Sequence, residues 1–105
     1  MGPSARPVAI PDDLDAPGVL KASGVVDLPL RVHWSGPARR FDLMDLHDRA
    51  LVYELVLSEG TEDDVRHFID LDQLVELWPR LVLPRHVRKA WAVWLDQRHG
   101  ISVAC

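Results

Sequence analysis

Two hydrophobic periods divide this chain, and no single kind of element satisfies both. Val26, Leu28, Leu30, Val32 and Trp34 alternate with Asp27, Pro29, Arg31 and His33. A period of two places all five apolar residues on one face of a strand. From Leu46 onward the apolar residues fall three and four apart, which is the spacing of a helix face. The chain therefore reads as a small sheet followed by helices. Pro29 lies on the outward set and has no N–H for a ladder, so this stretch reads as an edge strand or one with a bulge. Short apolar segments at 18–22 and 40–43 flank it across Ser23-Gly24 and Ser35-Gly36-Pro37, which are turn signals. The expectation is an antiparallel sheet of two or three strands.

Four helices are expected next. Asp45 or Asp48 opens the first, where a carboxylate suits the positive end of the helix dipole. It runs over 46–58 with Leu46, Ala50, Tyr53 and Leu57 on its inner face, widened by Val52, Leu55 and Val56, and Gly60 closes it. Thr61 with Asp64 three residues on approaches a capping box for a second helix burying Val65, Phe68 and Ile69. Asp70 with Gln73 repeats the signal for a third, bearing Leu71, Leu74, Val75, Leu77 and Trp78, stopped by Pro79. Pro84 is tolerated in the first turn of a fourth, and Gly100 ends it. Along this last helix Val87, Ala90, Trp91, Trp94 and Leu95 form one apolar stripe, with Arg85, Arg88 and Lys89 opposite. The predicted class is α+β: a Pro-rich tail over 1–17, extended or loosely docked, then a single domain over 18–105 with a small antiparallel sheet and a compact bundle of four helices.

Composition narrows the function classes. The 105 residues carry 12 Lys plus Arg against 16 Asp plus Glu, for a net charge of −4, which argues against a general nucleic-acid coat or an anionic-membrane binder. One cysteine, Cys105, excludes an internal disulfide and a Cys-based zinc site. No apolar run approaches the ~20 residues of a membrane span, and the first residues lack the pattern of a secretory signal. A cytoplasmic location is expected. Arg far exceeds Lys and Asn is absent, a bias that points to a GC-rich bacterial genome. The charge is unevenly laid out: residues 1–41 carry +1, residues 42–76 carry −9 and residues 77–105 carry +4.

No motif of an enzyme class is present: there is no phosphate-binding Gly-rich loop, no Gly-x-Ser-x-Gly and no His-Glu-x-x-His. Asp42, Asp45 and Asp48, and the pair Asp70 and Asp72, offer carboxylates for Mg²⁺, but helix capping accounts for the same residues. The five histidines (33, 47, 67, 86, 99) show no ligand spacing. The expectation is therefore a non-enzyme with no metal and no cofactor. The acidic segment suggests docking onto a basic protein partner through Asp63, Asp64, Asp70 and Asp72, with Trp34 as an aromatic anchor. An alternative is a DNA-binding regulator whose fourth helix enters a groove with Arg80, Arg85, Arg88 and Lys89. Against it, the −9 segment would stand close to the phosphates.

A further pattern runs from Gly24-Val25-Val26-Asp27-Leu28-Pro29 and Trp34-Ser35-Gly36-Pro37 through Asp48-Arg49, Val52-Tyr53-Glu54 and Glu59-Gly60-Thr61-Glu62-Asp63-Asp64-Val65-Arg66. It continues into Leu77-Trp78-Pro79, Leu81-Val82-Leu83-Pro84-Arg85, Val87-Arg88 and Ala90-Trp91. Over about residues 18–100 this resembles a group of small actinobacterial proteins, many of them described as transcriptional regulators. They are associated with neighbours that resemble abortive-infection nucleotidyltransferase toxins. The resemblance implies an antitoxin or regulatory partner of such a toxin, and assigns no role to any single residue. The chain carries no catalytic motif of the nucleotidyltransferases.

Overall fold

Val26 and Phe41 face each other across the only sheet formed by the described residues, and their side chains turn inward. The computed structural model describes residues 8–14, 21–28, 32 and 40–104. Strand β1 (Val25–Asp27) pairs antiparallel with β2 (Arg40–Asp42), in register Val25 with Asp42, Val26 with Phe41 and Asp27 with Arg40. Phe41 is buried and Val26 half-buried, while their neighbours on both strands are exposed. The period-two pattern thus holds where a strand forms. The strand is shorter than the alternation suggested, ending two residues before Pro29. Val32 is buried at a turn. Residues 29–31 and 33–39, Trp34 among them, lie outside the described residues, as do 18–20 of the other flanking segment. Lys21 and Ala22 are not in a strand: the Ala22 N–H donates to the carbonyl of His67 at 2.8 Å, tying this segment to the next layer. Gly24 turns the chain at φ 73°, and its carbonyl accepts the Leu43 N–H.

Helices α1 (Leu46–Glu59), α2 (Glu62–Phe68), α3 (Leu71–Leu77) and α4 (Arg85–His99) follow, with a 3-10 turn at Trp78–Arg80 between the last two. The fold is α+β, as the two periods required. Each of the first three helices opens on a side chain that accepts a backbone N–H three residues ahead. Asp45 accepts from Asp48, Thr61 from Asp64 and Asp70 from Gln73. At Thr61 the arrangement is reciprocal, since Asp64 Oδ2 takes the Thr61 N–H at 2.9 Å. This full capping box also explains why Asp64 is buried.

The inner face of α1 lies within the expected set but does not extend to the helix start. Val52, Tyr53, Val56 and Leu57 are buried, whereas Leu46 stands exposed and Ala50 and Leu55 are half-buried. Leu46 is the first residue of the helix, ahead of the turns that meet the core. The stripe on α4 is as read, with Val87, Trp91, Trp94 and Leu95 buried and Ala90 half-buried. Trp91 and Trp94 meet edge to face at 5.4 Å between ring centroids. Neither indole N–H finds an acceptor among the described residues. From the N-terminal segment, Leu14 is wholly buried in the core. Asp12 and Asp13 beside it pair with Arg98 and Arg66, each at 2.9 Å.

The two helix-ending glycines act by different physics. Gly100 takes the left-handed conformation at φ 64°. Gly60 does not: at φ −79° its backbone is ordinary, but an added Cβ would stand 2.6 Å from the Val56 carbonyl oxygen. Gly60→Ala is therefore expected to destabilise by about 1–3 kcal/mol through overpacking against backbone. Gly100→Ala is expected to cost about 1–2 kcal/mol through left-handed strain alone. Denaturant midpoints at unchanged slope measure both.

Candidate interaction surfaces

Most of the carboxylates in the acidic segment are engaged by the chain itself. Asp42 accepts the Met44 N–H, Asp48 accepts the Asp42 N–H, and Asp45 caps α1. This trio is a cap network. Asp64 and Asp70 cap α2 and α3. Glu54 reaches across to accept the Val82 N–H at 2.9 Å. On α2, Arg66 gathers three acids: Asp13 from the N-terminal segment, Asp63 one turn back and Glu62 at 3.9 Å. Its hydrogen bond to Asp13 holds that carboxyl below its ordinary 3.8. Two acids of this segment, Asp72 and Glu76, have no hydrogen bond or ion pair among the described residues. They sit four apart on α3, both exposed.

The residues singled out from the sequence are thus sorted by role. Asp64 is a buried cap, Asp70 a half-buried cap, Asp63 an exposed partner of Arg66, and Asp72 an exposed charge at the start of α3. Trp34 lies outside the described residues. Arg66 and Glu76 escaped the sequence reading. Glu76 was legible as the residue four beyond Asp72, on the same helix face. Arg66 was not, because Asp13 reaches it from 53 residues away.

The basic residues divide as well. Arg88 is half-buried. Its guanidinium lies 4.7 Å over the Trp78 ring and donates to the Leu81 carbonyl at 3.0 Å, which fastens α4 to the turn before it. Arg80, Arg85 and Lys89 are exposed, with no ion pair or hydrogen bond among the described residues. Arg85, Arg88 and Lys89 border a hollow of about 440 Å³ with Leu83 in its wall, and the neighbouring Val82 is 79% exposed.

No group of three or more His, Cys, Asp or Glu among the described residues is placed to hold a metal ion. Among them, no helix is long and apolar enough to cross a membrane. No protein family, curated protein or solved structure matches this chain.

The start of α3 is fastened to one buried hydroxyl. Tyr53 Oη, on α1, accepts the Asp70 N–H at 2.9 Å and donates to Gln73 Oε1 at 3.3 Å, joining α1 to the start of α3. Burial pushes its phenol up to about 12, with the Asp70 carboxylate adding to the rise, while the Asp70 N–H and Arg49 oppose it. A raised phenol contributes stability that is fully present below the unfolded value near pH 10 and is lost as pH climbs toward 12. Tyr53 is the one tyrosine of the chain, so tyrosinate absorbance reads it directly. The folded protein is expected to titrate well above pH 10. Stability is expected to fall between pH 10 and 12 by about 2–3 kcal/mol, and Tyr53→Phe to lose that component of the alkaline decline.

Proposed function

We propose that this chain is a non-catalytic bacterial interaction protein, the antitoxin or regulatory partner of a toxin-like nucleotidyltransferase, docking through the acidic surface of α2 and α3. The observation that carries the reading is the division of the acids. Helix caps and Arg66 engage most of them, while Asp72 and Glu76 face outward one turn apart with no partner among the described residues. Exposed carboxylates at this spacing match a basic surface such as a nucleic-acid-handling enzyme presents. Charge complementarity of that kind acts mainly on encounter rate and orientation. Asp63, exposed on α2, is a further proposed contact, and Trp34 the proposed aromatic anchor. The resemblance to small actinobacterial proteins found beside nucleotidyltransferase-like toxins supports the choice of partner, and a cytoplasmic location follows from it.

Co-expression with the product of the adjacent gene is expected to give a stable complex. The paired reversals Asp72→Lys and Glu76→Lys should lower its association rate roughly tenfold or more and flatten its salt dependence. The melting temperature of the chain alone should barely move. Failure of the adjacent product to bind overturns the reading.

A second reading, DNA binding through α4, is favoured by Arg80, Arg85 and Lys89 standing exposed and without partners among the described residues. Arg88 serves it less, because its guanidinium is held over Trp78. On this reading the promoter of the chain's own gene is retarded at low salt. Arg85→Ala and Lys89→Ala each reduce the slope of log affinity against log salt by about 1. Absence of any shift at low salt removes it.

A further inference from the structure

The segment before β1, the turn after β2, and helices α1, α2 and α3 meet around a cavity of about 230 Å³. Its walls are of two kinds. Ala22, Leu43, Met44 and Phe68 supply an apolar side, and Arg49, Tyr53, Asp70 and Gln73 a polar one. The volume lies just below the ~300–1,000 Å³ of pockets for drug-sized ligands, which suits a smaller molecule.

The charges are what make the cavity specific. Arg49 donates its Nε–H to the Leu43 carbonyl at 2.8 Å, which fixes the guanidinium at the cavity wall. Asp70 is fixed by its capping bond to the Gln73 N–H. Both line the cavity with Tyr53, whose hydroxyl accepts the Asp70 N–H at 2.9 Å, and no ion pair joins Arg49 to Asp70. Lys21, also in the wall, has its ammonium 2.7 Å from the carbonyls of Leu14 and Arg66. The wall therefore carries two cations, Arg49 and a Lys21 whose ammonium is engaged by backbone carbonyls, and one anion, Asp70, beside an apolar surface. A simple anion would meet Asp70 and a simple cation Arg49. A molecule carrying both charges close together satisfies the pair. Met44, 78% exposed at the rim, gives the entrance an adaptable apolar edge.

We propose that this cavity binds a small apolar α-amino acid, with its carboxylate on Arg49, its ammonium on Asp70 and its side chain against Leu43, Met44 and Phe68. Nothing in this depends on the protein–protein reading above. The cavity gives the chain a means of sensing amino-acid supply.

Met44 provides the readout. The chain has two methionines, Met1 and Met44, so methyl NMR of methionine-labelled protein gives one signal from the cavity mouth in a two-signal spectrum. L-Leucine is the probe. It is expected to shift the Met44 methyl saturably. 4-Methylpentanoate lacks the ammonium and L-leucinamide lacks the carboxylate, and each should bind at least roughly tenfold more weakly. Asp70→Asn keeps an effective helix cap and removes the charge, so it should weaken L-leucine to the same degree with the fold intact by circular dichroism. No Met44 shift with L-leucine, equal binding of 4-methylpentanoate, or full affinity in a folded Asp70→Asn protein would each overturn the proposal.

Discussion

Helices of seven residues do not hold themselves together in water, because nucleation costs more than so few hydrogen bonds return. α2 and α3 are both of this length. Each begins on a side chain that closes open N–H groups, Thr61 with Asp64 and Asp70 with Gln73, and each buries an apolar face in the core. The Tyr53 hydroxyl then fastens the second of these starts to α1. Each cap of this kind is worth about 1 kcal/mol, and the packing of Val65, Phe68, Ile69 and Leu74 in the core supplies the larger share.

This constraint changes the meaning of the acidic composition. Eleven carboxylates between residues 42 and 76 suggest a negatively charged face. In the folded chain, helix starts, loop N–H groups and Arg66 engage many of them. The two without a partner among the described residues, Asp72 and Glu76, lie on α3. The basic end is partitioned in the same way, since Arg88 braces Trp78 and Arg80, Arg85 and Lys89 stand outward. Both charged surfaces are therefore smaller than their segments.

Much of the fold was legible because local rules and the tertiary structure agree. Caps at Asp45, Thr61 and Asp70, the stop at Gly100 and the α4 stripe all rest on interactions within four residues. The strand length was not legible, because alternation marks one apolar face and does not say how far a partner strand runs beside it. β2 offers only three residues of pairing. The face of α1 was misjudged at Leu46 because periodicity does not say where along its length a helix reaches the core. Of the acidic residues singled out, Asp72 is an outward charge, Asp63 pairs with Arg66, and Asp64 and Asp70 are caps. Capping and docking both select carboxylates near a helix start, so composition alone does not separate them.

From sequence alone came the α+β class, the order of sheet and helices, the helix starts and the uneven charge, since each depends on neighbours within one or two turns. Tertiary structure decided which charges stay outward. It also brought Asp13 to Arg66, placed Leu14 in the core, and set Arg49 and Asp70 on one cavity wall without letting them pair. Those outcomes depend on residues distant in the chain meeting in space, and no local period or spacing encodes the distance between them.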